Sequence, residues 1–190
     1  MKKEIFYISN IISFSRFILL AVCLFFLIND NYLLTCVMIA VIWLSDLADG
    51  YVARRRNEIS ELGKIIDPIA DKAVIITLVI FLLIEQKIPT YYVIITILRD
   101  ALILGGGLYL NYKKNIVLQS NWLGKIAVFT IGSTLLLSIV KSAAAAGEFG
   151  SFLLYHSEIT ELLYSIMFFI SIAMIVLSLI SYFYRFLQTK

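Results

Sequence analysis

Apolar residues in this chain are grouped into long windows that are separated by short polar stretches. Each window holds about 20 mainly apolar residues, which is the length that a helix needs to cross a bilayer core. The six windows are 7–27, 32–52, 65–84, 90–110, 122–140 and 162–182. Before them, residues 1–6 place Ile5 and Phe6 beside two lysines, which predicts a short N-terminal interfacial helix. The pattern therefore predicts an all-α integral membrane protein with six transmembrane helices, folded as a single domain over 1–190.

The charges between the windows predict an orientation in the membrane. Lysines and arginines collect in alternate connections and at both termini: Lys2, Lys3, Arg54, Arg55, Arg56, Lys64, Lys113, Lys114, Arg185 and Lys190. The other connections carry only Lys87 and Lys141. The positive-inside rule assigns the basic side to the cytoplasm, so both termini are expected there. An even number of spans agrees with that assignment. We expect a bacterial cytoplasmic membrane.

Composition agrees with a membrane protein and excludes other classes. Hydrophobic residues make up 61% of the chain and charged residues 15%, and the mean hydropathy is +0.94. A soluble domain is nearer half apolar. The net charge of +3 is small, and no basic stripe tracks a phosphate backbone, so nucleic acid is not an expected partner.

Four carboxylates stand out against this apolar background. Asp46 and Asp49 are three residues apart near the end of the second window, and Asp67 and Asp71 are four apart in the third. At about 100° per residue, each pair shares one face of its helix. Carboxylates that meet in a space of low dielectric need cations, because like charges repel there. Oxygen ligands select hard ions, so the expected cofactor is Mg²⁺ or Mn²⁺.

The acids belong to a longer pattern, D-x2-D-G-x2-A-R-x8-G-x3-D-x3-D. This pattern resembles the signature of the CDP-alcohol phosphotransferase family. Its fixed positions here are Asp46, Asp49, Gly50, Ala53, Arg54, Gly63, Asp67 and Asp71. Eight fixed residues at fixed spacing are far more specific than a lone glycine-rich motif.

The resemblance implies roles for these residues. It implies a site for the cytidine diphosphate part of the donor, formed by Asp46, Asp49, Gly50, Ala53, Arg54, Gly63 and Asp67. Glycine and alanine would leave clearance for the nucleotide. It implies that Asp46, Asp49, Asp67 and Asp71 hold the metal ions and that Asp71 is also the catalytic general base. It further implies a homodimer.

A second group of residues is expected to bind the acceptor alcohol. Asn10 and Arg16 lie in an N-x2-S-x2-R stretch that resembles the start of the first helix in this family. Gly124-Lys125 resembles the start of the fifth helix in the phosphatidylglycerolphosphate synthase branch, whereas Arg99-Asp100 is closer to the cardiolipin synthases. Arg16, Lys72, Arg99 and Lys125 are intramembrane cations, which are usually functional. For Arg99 with Asp100, the alternative interpretation is an internal ion pair that fixes helix packing.

These observations lead to one favoured function and several alternatives. The favoured one is metal-dependent transfer of a phosphatidyl group from CDP-diacylglycerol to glycerol 3-phosphate with release of CMP, at the cytoplasmic ends of the second and third helices. Phosphatidylglycerol or an inositol compound is the alternative acceptor. A cation transporter and an aspartate-rich prenyltransferase are the other readings. Inverted repeats would favour the transporter, and the sequence has no convincing repeat.

Two stretches of small residues carry expectations about packing. Gly105-Gly106-Gly107 lies in the fourth window, where small residues predict close approach of a neighbouring helix. Residues 142–150 include four alanines and are expected to begin the longest connection, up to Thr160, as a flexible segment, with a short surface helix as the alternative. Pro68 is expected in the first turn of its helix, where a missing N–H costs little.

Overall fold

A computed structural model describes residues 8–56, 63–114, 121–147 and 157–188. Within these ranges, the side chains at 8–13, 46, 47, 49–56, 63–68, 71, 111, 114 and 157 stand outside the description. The described residues form six helices and no strand. The helices are α1 (Ile8–Ile28), α2 (Tyr32–Arg56), α3 (Gly63–Ile84), α4 (Thr90–Lys114), α5 (Trp122–Ala146) and α6 (Ser157–Gln188). The prediction of an all-α fold is confirmed, while the interfacial helix expected at 1–6 lies outside the described residues.

The chain divides into two compact units. The first comprises residues 1–78 and 139–157, and the second comprises 79–138 and 158–190. Helices α3 and α5 each contribute residues to both units. The single domain expected over 1–190 stays a prediction.

In the first unit, α1 and α2 form an antiparallel hairpin around residues 29–31. Asp30 has a φ of 56°. The N–H of Asn31 donates to the carbonyl of Phe26 over 2.9 Å, and that of Asp30 donates to Leu27 over 3.3 Å. This pair of bonds is a Schellman motif, which satisfies carbonyls at the end of α1. The Asn31 side chain then accepts from the N–H of Leu34 over 3.3 Å, so one short connection both ends α1 and caps α2.

Each helix of the first unit buries one face. In α1 this face carries Arg16, Leu20, Cys23 and Leu27; in α2 it carries Thr35, Ile39 and Ile42; in α3 it carries Ala70, Val74 and Leu78. The spacing of three or four residues keeps each set on one side of its helix. These faces are the core of the unit, and the buried charge among their described side chains is the guanidinium of Arg16.

In the second unit, α4 packs on α6 around an aromatic cluster. The Phe168 ring centroid lies 5.0 Å from that of Tyr92, and the Tyr92 hydroxyl is 2.7 Å from the Ser171 hydroxyl. Helix α5 carries buried Ala127, Ile131 and Leu135, and its Thr134 hydroxyl donates to the Met167 carbonyl of α6 over 3.4 Å. Polar groups that lie between these helices are thus paired, as buried hydroxyls must be.

Within the part of the chain that the structure describes, three helices are long and apolar enough to cross a membrane: Thr90–Leu110 of α4, Trp122–Ala146 of α5 and Glu158–Gln188 of α6. The shorter apolar stretches of the described residues are Phe14–Ile28, Tyr32–Ser45 and Lys72–Ile84. Large apolar side chains remain exposed along the long helices, for example Ile97 and Phe169. Such surfaces suit contact with lipid, in agreement with the membrane class expected from composition.

Three local expectations are wrong. The alanines at 143–146 continue α5, because alanine is the strongest helix former. Helix α3 begins at Gly63, so Pro68 lies beyond its first turn. A Cβ added to Gly105 or Gly107 would meet no atom within 4 Å, and at Gly106 it would lie 3.8 Å from Cδ2 of Phe186. Among the described residues, close helix packing therefore does not explain Gly105 or Gly107, and Gly106 is the glycine that faces a neighbouring helix.

Candidate functional site

The four acids occupy regular helix in the first unit. Asp46 and Asp49 lie in the C-terminal half of α2, and Asp67 and Asp71 lie in the N-terminal half of α3. Helix α2 runs without a break to Arg56. The helical register on which the expected acid faces depend is therefore present. The side chains of these acids lie outside the described residues, so the metal and nucleotide sites stay predictions.

The register connects the acid positions of α2 to its buried face. Counting at about 100° per residue from Thr35, Ile39 and Ile42, positions 46, 49, 50 and 53 fall within about 60° of the same line. Asp46 and Asp49 therefore occupy positions on the same helical line as the buried residues of α2.

The same relation holds on α3. Positions 67 and 71 fall on the line of buried Val74 and Leu78, again within about 60°. Lys72, one position beyond Asp71, is exposed. On both α2 and α3, the acid positions therefore share a helical line with buried residues. The pair on α2 lies toward the C-terminal end of the helix, and the pair on α3 lies toward the N-terminal end.

Arg16 is on the core face of α1 and only 1% exposed. Arg16 comes before the 29–31 turn, and Asp46 follows that turn by a similar number of residues. At about 1.5 Å per residue, both positions lie about 20 Å from the turn along the helix axes. A buried cation needs anionic or carbonyl partners, because burial of a charge is costly. Arg16 is thus a buried cation at the height of the acid positions of α2.

In the second unit, the Arg99 guanidinium joins three helices. Its Nε donates to the Ser178 hydroxyl of α6 over 3.0 Å, and its Nη2 donates to the Gly124 carbonyl of α5 over 3.3 Å. Nη1 pairs with Asp100 Oδ1 at 2.6 Å. Arg99 is 6% exposed, whereas the Asp100 side chain is 60% exposed. The ion pair that sequence reasoning held as the alternative is therefore present, and it is one part of a larger network.

Asn121 fixes the start of α5 beside this network. Its Oδ1 accepts from the N–H of Gly124 over 2.7 Å, which is the geometry of a helix N-cap. Its Nδ2 donates to the Ser181 hydroxyl of α6 over 2.7 Å. A Cβ on Gly124 would lie 2.9 Å from the Asn121 Oδ1 and 3.2 Å from Cε2 of Tyr182. Glycine at 124 therefore leaves room for the cap.

Lys125 lies next to that glycine and is exposed. Its Nζ is 5.8 Å from the ring centroid of Trp122, a residue that is itself 80% exposed. The cations expected to bind the acceptor thus divide into two kinds. Arg16 and Arg99 are buried, and Lys72 and Lys125 are exposed. The side chain of Asn10 lies outside the described residues.

Sequence reasoning missed Asn121, Ser178 and Ser181. An asparagine directly before an apolar helix is an N-cap signal and was available in the sequence. The two serines had no such signal, because a serine in an apolar helix is common and its partner depends on how the helices pack.

Comparison with known proteins decides the family. Residues 6–184 match the family described as CDP-alcohol phosphatidyltransferase. The chain belongs to this family. The resemblance inferred from the signature is therefore confirmed, and the match extends far beyond the signature itself.

Individual relatives agree with the family. The chain is 30% identical over 131 residues to CDP-diacylglycerol--glycerol-3-phosphate 3-phosphatidyltransferase of Aquifex aeolicus, which covers 68% of this chain and 73% of that protein. It is 42% identical over 82 residues to the protein of the same name from Mycoplasma genitalium, over 43% of this chain and 34% of that one. It is 30% identical over 112 residues to the probable CMP-forming cardiolipin synthase of Drosophila melanogaster, over 58% and 35%. The match thus spans about a third of the latter two proteins.

Family and relatives together make this chain a phosphatidyltransferase of phospholipid biosynthesis. The enzyme interpretation is confirmed over the cation transporter and the prenyltransferase. The family members named above differ in their acceptors, so membership alone leaves the acceptor open.

Proposed function

We propose that this chain transfers the phosphatidyl group of CDP-diacylglycerol to glycerol 3-phosphate and releases CMP. The observation that carries the proposal is the placement of four acids, at the spacing of the family signature, on the lines of the buried faces of α2 and α3. The family match and the names of the Aquifex and Mycoplasma relatives support the donor and the acceptor.

The donor set at this site fits a divalent metal. Four carboxylates at helix positions that share faces offer oxygen ligands only, the chemistry that Mg²⁺ and Mn²⁺ prefer. Asp46, Asp49, Asp67 and Asp71 would hold two such ions. When bound, the ions supply electrostatic stabilisation of the charge that develops on the diphosphate.

The remaining signature residues would bind the nucleotide. Gly50, Ala53 and Gly63 have little or no side chain, which leaves space for the cytidine diphosphate against the helices. Arg54, one turn beyond Gly50, would pair with a phosphate. Asp46, Asp49 and Asp67 would form the other part of the same donor site.

Asp71 would be the catalytic base. Its carboxylate takes the proton of the acceptor hydroxyl, whose oxygen then forms a bond to the phosphorus of the phosphatidyl group. The bond from that phosphorus to the CMP oxygen breaks, and CMP leaves with the electron pair. Phosphatidylglycerol phosphate and CMP are the products.

The residues expected from the sequence to bind the acceptor phosphate are Asn10, Arg16 and Lys72 of the first unit and Arg99 and Lys125 of the second. The support differs among them. Arg99 is already held by Ser178, Asp100 and the Gly124 carbonyl, so its guanidinium is fixed before an acceptor arrives. Lys125 is exposed and is able to move toward a phosphate. A preorganised donor such as Arg99 binds an anion with little loss of conformational entropy.

All six helices would cross the membrane, with the acids and both termini at the cytoplasmic side of a bacterial membrane. The observed helix order, with short connections at 29–31 and 85–89, supports this arrangement. The distribution of lysine and arginine supports the orientation. The enzyme would act as a homodimer, as the family resemblance implies.

Cardiolipin synthesis is the second candidate function. The relatives named cardiolipin synthase and the Arg99–Asp100 pair favour it. In that reaction phosphatidylglycerol, whose phosphodiester also carries a negative charge, would take the place of glycerol 3-phosphate. An inositol compound is the remaining alternative.

An acceptor screen tests the proposal. Purified chain in detergent is given labelled CDP-diacylglycerol with glycerol 3-phosphate, phosphatidylglycerol, inositol, inositol phosphate or serine, and the labelled lipid is identified. We expect product with glycerol 3-phosphate, loss of product in EDTA and recovery with Mg²⁺ or Mn²⁺. Product with phosphatidylglycerol alone would establish the second candidate, and full turnover in excess EDTA would contradict the metal site.

A further inference from the structure

An apolar cavity of about 510 Å³ lies between α4 and α6 in the second unit. Ile103, Gly106 and Gly107 line it from α4, and Leu179, Phe183 and Phe186 line it from α6. Among the residues that line it, only Tyr182 carries a polar side-chain atom. Its volume lies in the range of small-molecule sites, and its lining suits a hydrocarbon rather than water.

The cavity exists because α4 has no side chains along one stretch. A Cβ at Gly107 would meet no atom within 4 Å, and a Cβ at Gly106 would only reach 3.8 Å from Phe186. Larger residues at these positions would extend into the open space. The glycines that the sequence assigned to helix packing thus leave a space that the described residues do not fill.

A cation lies beyond one end of this cavity. The Lys113 Nζ is 5.1 Å from the Tyr109 ring centroid, and that ring centroid is 6.0 Å from the one of Phe186, which lines the cavity. Along the α4 axis, Lys113 is about 9 Å beyond Gly107. An apolar space followed by a cation on the same side of the helix complements an acyl chain followed by a phosphate.

We propose that this cavity, which we call the α4–α6 cavity, binds one anionic phospholipid of the surrounding bilayer. An acyl chain occupies the space beside Gly106 and Gly107, and the lipid phosphate lies at Lys113. The helices that form the cavity are two of those long and apolar enough to span a membrane, so lipid is present around them at high concentration. The proposal involves α4 and α6 only.

Quenching of tryptophan fluorescence by brominated lipid tests this site. The full chain, with Trp43→Phe and Trp122→Phe, receives a single tryptophan by Phe183→Trp inside the cavity or by Leu108→Trp on the exposed surface of α4. Each protein is placed in phosphatidylcholine vesicles that contain brominated phosphatidylglycerol or brominated phosphatidylcholine. We expect phosphatidylglycerol to quench Phe183→Trp preferentially, and both lipids to quench Leu108→Trp equally.

Matched variants separate the cavity from general lipid contact. In the Phe183→Trp protein, Gly106→Leu should abolish the preference, whereas Gly105→Leu, at a position that does not line the cavity, should retain it. Lys113→Gln should lower the preference about fivefold, since one surface lysine contributes that much to the binding of anionic lipid.

Three results would overturn the proposal. Equal quenching of Phe183→Trp by both lipids would remove the headgroup preference. Unchanged preference in Gly106→Leu would move the site elsewhere. Relief of quenching by added CDP-diacylglycerol would assign the cavity to the donor substrate. Failure of the acceptor screen would leave the lipid preference at Phe183→Trp unaffected, so the two proposals fail separately.

Discussion

The Arg99 Nε donates a hydrogen bond of 3.0 Å to the Ser178 hydroxyl, across 79 residues of sequence. Both side chains are buried, Arg99 at 6% exposure and Ser178 at 0%. This contact joins α4 to α6, and the Nη2 bond to Gly124 adds α5. Ser178 thus positions the Arg99 guanidinium that we propose to bind the acceptor phosphate. The serine itself does not need to contact the acceptor.

Replacement of that serine should separate positioning from stability. Ser178→Ala removes a hydrogen bond to a charged group, so we expect the free energy of unfolding to fall by about 1.5–3 kcal/mol. We also expect the acceptor KM to rise while the donor KM stays nearly constant. The control is Ser171→Ala, which removes another buried hydroxyl of α6 but one bonded to Tyr92. It should lower stability and leave the acceptor KM unchanged; equal kinetic effects in the two variants would contradict a positioning role.

Lys125 offers the cleanest test of the acceptor site, because its side chain is exposed and its loss should not disturb folding. A charge-assisted contact contributes about 1.5–3 kcal/mol, so Lys125→Gln should raise the acceptor KM about ten- to hundred-fold. Steady-state kinetics with both substrates varied checks this. Weaker donor binding with an unchanged acceptor KM would show that the residue is misassigned, and the case for a phosphorylated acceptor would weaken with it.

Gly124 and Gly105 form a matched pair for the cap at the start of α5. Gly124→Ala would bring a Cβ to 2.9 Å from the Asn121 Oδ1, so the cap must shift, with an expected loss of about 1 kcal/mol in the free energy of unfolding. Gly105→Ala meets no atom within 4 Å and should gain up to about 1 kcal/mol from helix propensity. Denaturant titration in detergent measures both. A free energy of unfolding in Gly124→Ala equal to or above that of the wild-type chain would contradict the cap geometry.

The proposed topology is open to cysteine labelling. In a chain with Cys23→Ala and Cys36→Ala, Arg56→Cys and Lys113→Cys should react with an impermeant reagent from the cytoplasmic side, and Ser151→Cys from the opposite side. The reason is that each spanning helix carries the chain to the opposite side of the bilayer, so successive connections lie on alternate sides. Labelling of all three positions from one side would overturn the six-span arrangement.

The hydrophobic windows predicted where the helices lie, and the bounds of the helices were the less accurate part of the prediction. Helix α6 was expected over 162–182 and extends over Ser157–Gln188. An apolar window ends where charged residues begin. The helix nevertheless continues through Glu158 in its first turn and Arg185 in its last turn, because these charges interact favourably with the helix dipole. Hydropathy measures where lipid contact ends, whereas the helix ends where its backbone loses hydrogen bonds.

The candidate site was predictable in part. The acid positions follow from spacing alone, because neighbours on one helix face are fixed by the helix itself. The partners of Arg99 were not predictable, because Ser178 and Gly124 lie on other helices and their relation depends on tertiary packing. The sequence favoured no particular serine of α6, and the adjacent Asp100 was the only partner that spacing could suggest.

The most direct test of the central claim measures CMP release in the wild-type chain and in Asp71→Asn. With labelled CDP-diacylglycerol and glycerol 3-phosphate, the wild-type chain should release one CMP for each phosphatidyl group transferred. Asp71→Asn should lower turnover about 10²–10⁴-fold, as expected for loss of a general base. Its apparent donor affinity should change less, because Asp46, Asp49 and Asp67 remain. Wild-type turnover in Asp71→Asn, or CMP release without a phosphatidyl product, would contradict the account.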